Sequence, residues 1–194
     1  MTIILGSQSK GRGQVLEKLG IPFERMAADI DEKAIRQEDP VKLTLLLANA
    51  KADALVPSAP RDALLITGDS VVVCNGVLYE KPLSAEEEKE RLHEYASHPA
   101  EVISSVVVHN TTTGVRVEGV DIAKVYFHPI HENVVEQIIQ DGTCFTQAGG
   151  FGIQDPLFQP YIAKYEGEIE SIMAMPKALT LRLLQEAGYT PSTV

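Results

Sequence analysis

Cysteine is scarce in this 194-residue chain. Cys74 and Cys144 stand 70 positions apart with no CxxC spacing, so neither a disulfide framework nor a thiolate zinc site is indicated, and reduced thiols are expected. The five histidines are scattered. His128 and His131 are near neighbours, but Pro129 lies between them and no further ligand follows, which reads as surface or turn chemistry rather than a metal site. Basic residues are in deficit, 17 against 27 acidic, for a formal charge of −10. That balance argues against a general binder of nucleic acid or anionic membrane, whose affinity rests on neutralising phosphates. A small phosphate ligand stays open, because a few local cations suffice for one. No window approaches the roughly 18 apolar residues of a membrane span. The opening "MTIILGSQSKGRG" has no basic start and no long apolar segment, so we expect no signal peptide and a cytoplasmic protein.

What is present is ordinary globular composition, 44% hydrophobic and 23% charged, at a length that supports a real core. "TIILG" predicts a strand, and "KGRGQVLEKLG" a helix with Val15, Leu16 and Leu19 on one face and Gly20 as its stop. "PFERMAA" suggests a second strand before the acidic turn "DIDEKAIRQEDP". Asp39 is a natural N-cap with Pro40 in the first helical position. The helix after it places Leu43, Leu46, Leu47, Ala50 and Ala54 on one stripe, with Lys51 at its edge.

Further along, "GVLYEKP" follows Asn75-Gly76, a strong hairpin signal. Ser84 with Glu87 forms a capping box opening "AEEEKERLHEY", whose five glutamates read as a solvated face. Two long strand candidates flank "TTTG". "ENVVEQIIQDG" and "PKALTLRLLQEAG" read as helices closed by glycine. The expected fold is α/β: an elongated mixed sheet flanked by helices, with a central cleft between two lobes.

Four stretches carry chemistry. "LLITGDSVVV" sets Asp69 between two apolar runs; Gly68-Asp69-Ser70 is either a turn or the middle of a buried strand holding a paired carboxylate. "GSQSKGRG" lies between a strand and a helix, where amides and the helix dipole favour an anion. Ser7 and Ser9 offer hydroxyls and Lys10 and Arg12 offer charge, although the spacing is neither a Walker loop nor GxGxxG. "DIDE" and "EKP" add Glu32 and Lys81. Carboxylates beside a phosphate ligand are the usual means of holding magnesium or manganese. "QAGGFGIQDP" combines a close-approach glycine run with Gln154, whose amide can pair with a base edge.

In their order, "ILGSQSKGRGQVLEKLG", "ADIDEKAIR", "LANAKADA", "LLITGDSVV", "YEKPLS", "AGGFGIQDP" and "ESIMAMP" resemble the Maf proteins, nucleoside triphosphate pyrophosphatases with a fold related to the inosine triphosphatases. The resemblance covers nearly the whole chain and implies one Maf-like domain over 1–194. It implies hydrolysis between the α and β phosphates, with Asp69 as the essential aspartate and Glu32, Lys51 and Lys81 as further catalytic positions. It places Ser7, Ser9, Lys10 and Arg12 on the phosphates and Gln154 on the base, with a divalent cation (Mg2+ or Mn2+) held by Glu32 and Asp69. Arg12, Lys81 and Gln154 together resemble the branch that prefers dTTP and UTP. A homodimer and a house-cleaning role are also implied. Two family cations are absent, where Gly11 and Gln147 stand. A second reading is therefore kept: a nucleotide-binding regulator of septum formation with little turnover.

Overall fold

Why a carboxylate can sit inside a strand follows from how the sheet is assembled around it. The computed structural model describes residues 1–190. Strand β1 (Thr2–Leu5) leads through the serine-rich loop into helix α1 (Lys10–Lys18), capped by the Ser9 hydroxyl, which accepts from the Arg12 amide at 3.4 Å. Strand β2 is only Glu24–Arg25, far less than "PFERMAA" suggests. Helix α2 (Pro40–Leu55) begins where expected, with the Asp39 carboxylate accepting from the amides of Val41 and Lys42 at 2.9 and 3.3 Å.

Strands β3 (Ala63–Cys74) and β4 (Val77–Tyr79) are joined by Asn75 and Gly76, both in the left-handed region at φ 49° and 77°, the geometry an Asn-Gly hairpin turn requires. Helix α3 (Ala85–Glu94), strands β5 (Ala100–Asn110) and β6 (Arg116–Phe127), and helix α4 (Glu132–Asp141) follow. Strand β7 (Ile162–Glu166), the short helix α5 (Ile169–Ile172) and helix α6 (Lys177–Glu186) complete the chain.

The seven strands form one mixed sheet in the order β2-β1-β3-β5-β6-β7, with β4 also on β3. β1 is parallel to β2 and β3; the remaining pairs are antiparallel. On one side β3 pairs with β5 over its whole central length. On the other it changes partner: the pairing with β1 ends at Ile66, opposite Leu5, and the pairing with β4 begins at Val72, opposite Tyr79. Residues 67–71 lie in the gap between them, at the carboxyl end of β1, and Asp69 is in its middle. A switch of partner at the carboxyl end of a parallel strand is where α/β sheets open a ligand crevice.

Helices cover both faces. Val15 and Leu16 of α1 and Leu183 and Leu184 of α6 pack with Leu64, Ile66, Val72, Val106 and Val108. On the opposite face Leu43 and Leu47 of α2 meet Val71 and Ile103. Period-two alternation along β3 divides the two sets. Tyr95, Phe127 and Phe151 form an aromatic cluster with ring centroids 5.2–5.5 Å apart. Both cysteines are buried, and burial pushes their thiols up to about 11, away from reactive thiolate chemistry. Among the described residues, no helix is long and apolar enough to cross a membrane.

Two helix faces differ from expectation. On α2 the buried residues are Leu43, Thr44, Leu47, Ala48, Lys51, Ala52 and Leu55, while Leu46 and Ala54 face solvent. Lys51 therefore sits within the packed face rather than at its edge. On α3 the glutamates are not a uniform solvated face, because Glu88 is completely buried. The capping box also shifts by one position: Ser84 caps the Glu87 amide, but the Glu87 carboxylate accepts from Leu83 N at 2.7 Å.

Candidate active site

Gly68-Asp69-Ser70 is not a turn; all three lie in the continuous strand β3. Asp69 shares the α2 side of the sheet with Val71. Three side chains anchor α2 there at successive turns. Ser105 Oγ donates to Thr44 O at 2.8 Å, Thr67 Oγ1 donates to Ala48 O at 2.8 Å, and Lys51 Nζ reaches Asp69 Oδ1 at 2.7 Å. Residues 44, 48 and 51 share one helix face, so the first two bonds fix where Lys51 stands. Lys51 Nζ also lies 3.1 Å from Glu32 Oε1, which bridges a buried and a half-exposed carboxylate.

Asp69 is only 7% exposed and Lys51 9%. Burial raises the proton affinity of the Asp69 carboxyl above its ordinary value, while Lys51 and Arg12 pull it back. The result is a carboxylate that holds a proton more readily than a surface aspartate, beside a cation that stabilises its charge. That combination suits a proton acceptor.

Arg12 approaches β3 from the opposite face, against Gly68, where a Cβ would lie 3.7 Å from Arg12 Nε and only 2.6 Å from Ser105 O. Its guanidinium is buried and donates from Nε to Ala174 O at 3.0 Å, from Nη1 to Ser7 Oγ at 3.0 Å and from Nη2 to Ser70 Oγ at 3.2 Å. Burial lowers the Arg12 pKa and the fields of Asp69 and Glu32 oppose it; a guanidinium remains charged regardless. Ser70 continues the network across paired strand positions to Ser104 at 3.0 Å. Ser104 donates to Ser171 O at 3.2 Å, and Ser171 Oγ to Asp121 Oδ2 at 2.5 Å. Ala174, whose carbonyl holds Arg12, adopts φ 67°, an uncommon conformation for a residue with a Cβ.

The serine loop is tied down from two sides. Ser7 Oγ accepts from the Ser9 amide at 3.2 Å as well as from Arg12. Arg25 Nη1 donates to Ser7 O at 3.0 Å and Ser9 O at 3.1 Å, with its guanidinium 5.3 Å from the Phe23 ring centroid. Gly13 makes room for it: a Cβ there would fall 1.8 Å from Arg25 Nη2. Sequence reasoning missed Arg25, and the aromatic–basic pair Phe23/Arg25 is the one local hint.

The remaining expected residues are less assembled. Lys10 is exposed at the first position of α1. Lys81 and Gln154 are exposed, and the Asp69 and Glu32 carboxylates are met by Lys51 rather than by either of them. Their segments are nonetheless joined to the site and to each other. Glu80 Oε1 lies 3.6 Å from Arg36 Nη1, just beyond the Glu32 turn, and Glu80 O accepts from the Gly149 amide at 3.0 Å.

Among the described residues, no three His, Cys, Asp or Glu side chains gather as metal ligands. Two carboxylates sharing one lysine do fit magnesium or manganese, which prefers oxygen donors and takes its other ligands from substrate phosphates and water.

A partner switch in a mixed sheet, carrying a buried carboxylate with its own lysine and flanked by a serine loop at a helix N-terminus, defines an α/β protein equipped to handle a phosphorylated ligand. The chain belongs to the Maf-like protein family, whose model matches residues 2–187. A 7-methyl-GTP pyrophosphatase of Dictyostelium discoideum is 41% identical over 96% of this chain and 97% of its own length. A dTTP/UTP pyrophosphatase of Deinococcus radiodurans is 33% identical over 97% of this chain and 94% of its own. A crystal structure of a nucleoside-triphosphatase, a dITP/XTP pyrophosphatase from Mycobacterium abscessus, aligns with 97% of this chain and 91% of its own at a TM-score of 0.44 and 13% identity.

Proposed function

We propose that this protein is a nucleoside triphosphate pyrophosphatase that hydrolyses the α–β phosphoanhydride and releases a monophosphate and pyrophosphate. The single observation that carries the reading is the Glu32–Lys51–Asp69 bridge, which sets a proton-accepting carboxylate beside a cation at the partner switch of β3. The enzyme names of both full-length relatives favour turnover over the septum-regulator reading.

In this mechanism Asp69 orients and deprotonates the attacking water. Lys51, already placed by its helix bonds, balances the charge that develops as the bond breaks. Lys10 and the amides at the start of α1, with the hydroxyls of Ser7 and Ser9, receive the β and γ phosphates. Arg12 contributes mainly as a fixed positive charge behind the loop, because three of its donors are committed to the protein. Lys81 neutralises the leaving pyrophosphate and Gln154 pairs with the base edge. A magnesium or manganese ion held by Asp69 and Glu32, when bound, would neutralise phosphate oxygens and lower the pKa of a bound water. The same reading takes residues 1–194 as one domain and the protein as a cytoplasmic homodimer that removes non-standard nucleotides.

Base preference is the open choice within the class. The resemblance of Arg12, Lys81 and Gln154 to the dTTP/UTP branch favours those nucleotides, whereas the 41% identical relative favours 7-methyl-GTP. Purified protein with magnesium and a panel of dTTP, UTP, 7-methyl-GTP, ATP and GTP separates them by rate of pyrophosphate release. Orthophosphate as the first product from every nucleotide contradicts the proposed reaction.

A further inference from the structure

Glu88 stands apart from the site chemistry and has no role in it so far. It lies on α3, is 0% exposed, and neither of its carboxylate oxygens has a hydrogen-bond partner among the described residues. A buried carboxyl without partners is unfavourable in its ionised form, so burial pushes its pKa up to about 8, against a modest opposing pull from Arg91.

Its location gives this a consequence. One face of α3 presents Glu88, Arg91 and Tyr95, at helical spacing, to two loops. Arg91 Nη1 donates to Glu80 O at 2.6 Å, next to Lys81. Tyr95 Oη donates to Gly149 O at 2.7 Å. Glu88 is wedged against Gly150 so closely that a Cβ there would fall 1.9 Å from Oε2. Gly149 and Gly150 are both left-handed, at φ 73° and 76°, and lead directly to Gln154. The α3 face is thus the seat of both segments that carry Lys81 and Gln154.

We propose that Glu88 is a positioning residue: its neutral carboxyl seats the Gly149–Gly150 turn, and ionisation unseats the turn and weakens nucleotide binding through Gln154. The claim of weakened binding rests on the pyrophosphatase reading; the claim about the turn does not. The other groups facing Glu88 cannot replace its proton. On α3 these are Arg91, already paired with Glu87 and stacked on Tyr79, and the Tyr95 hydroxyl, bonded to Gly149. Cys144, from the preceding turn, is a buried thiol. Lys89 and His93 pair with Glu132 of α4 on the outer side.

The test compares wild type with Glu88→Gln between pH 6.5 and 9.5. If only the neutral form binds productively, KM rises about tenfold one unit above the Glu88 pKa, with kcat unchanged. In Glu88→Gln the KM profile stays flat over that range. Without nucleotide, amide exchange of residues 147–154, corrected for intrinsic rate, accelerates above pH 8 in wild type and not in the variant. Should Glu88→Gln fail to fold, Glu88→Met, which keeps the volume and removes the charge, takes its place. Identical exchange profiles in wild type and variant overturn the proposal even if no nucleotide is turned over. Identical KM profiles with differing exchange overturn its link to substrate binding.

Discussion

Replacing Lys51 with methionine keeps most of the stem that packs in α2 and removes the cation between Asp69 and Glu32. Glu32 is half-exposed and can return to water; Asp69, with its side chain 11% exposed, cannot. Stripping one partner from a buried pair typically costs about 3–5 kcal/mol. Proton uptake sets a ceiling. Neutralising a carboxyl of ordinary value 3.8 costs about 1.4 kcal/mol per pH unit above that value, hence about 4 kcal/mol at pH 7 and under about 2 kcal/mol at pH 5. Asp69 already binds its proton more tightly in the folded wild type, and Arg12 still attracts the anion in the variant, so part of this ceiling goes unused. We expect Lys51→Met to lose about 3 kcal/mol at pH 7.5 and about 1 kcal/mol at pH 5. The sign follows from linkage: a raised folded pKa gives stability that is present at low pH and lost as pH rises through it. Urea titrations followed by far-ultraviolet circular dichroism measure this, since the chain has no tryptophan. Lys51→Met/Asp69→Asn, which removes both charges, should recover most of the loss. Equal losses at the two pH values, or a double variant less stable than Lys51→Met, refute the reasoning.

Ala174→Gly relieves a left-handed alanine while keeping the carbonyl that holds Arg12, and should leave stability unchanged or raise it by about 0.5–1 kcal/mol; a midpoint shift in urea reads it, and a loss above about 1 kcal/mol contradicts the strain argument. Gly13→Ala displaces Arg25 from the serine loop, so KM for the nucleotide should rise severalfold without loss of folding stability, and Arg25→Met should reproduce the effect. An unchanged KM in both variants removes Arg25 from the account.

Local signals were the legible part of this sequence. Asp39-Pro40, Ser84, Asn75-Gly76 and Gly142 each mark an element end through chemistry confined to a few residues, and each stands where expected. β7 escaped because it is an exposed edge strand with no alternation to read. The α2 stripe was misplaced because hydrophobicity favoured Leu46 and Ala54. The packed face instead uses Thr44 and Ala48, whose carbonyls receive hydroxyls from the sheet. Glu88 was hidden for a related reason: composition made it one glutamate among five, and only tertiary packing buries it. At the site, an acid inside an apolar run exposed Asp69 at once. Its neighbours on the other face, Ser70 and Ser104, depend on the register of β3 against β5, which no local pattern encodes.

The most direct test of the account is the fate of water oxygen during hydrolysis of the best nucleotide from the panel, with magnesium, in 18O-enriched water. Attack on the α-phosphorus by a water that Asp69 activates puts one labelled oxygen in the monophosphate and none in the pyrophosphate, and Asp69→Asn abolishes its appearance. Label in pyrophosphate or orthophosphate, or undiminished turnover in Asp69→Asn, contradicts it.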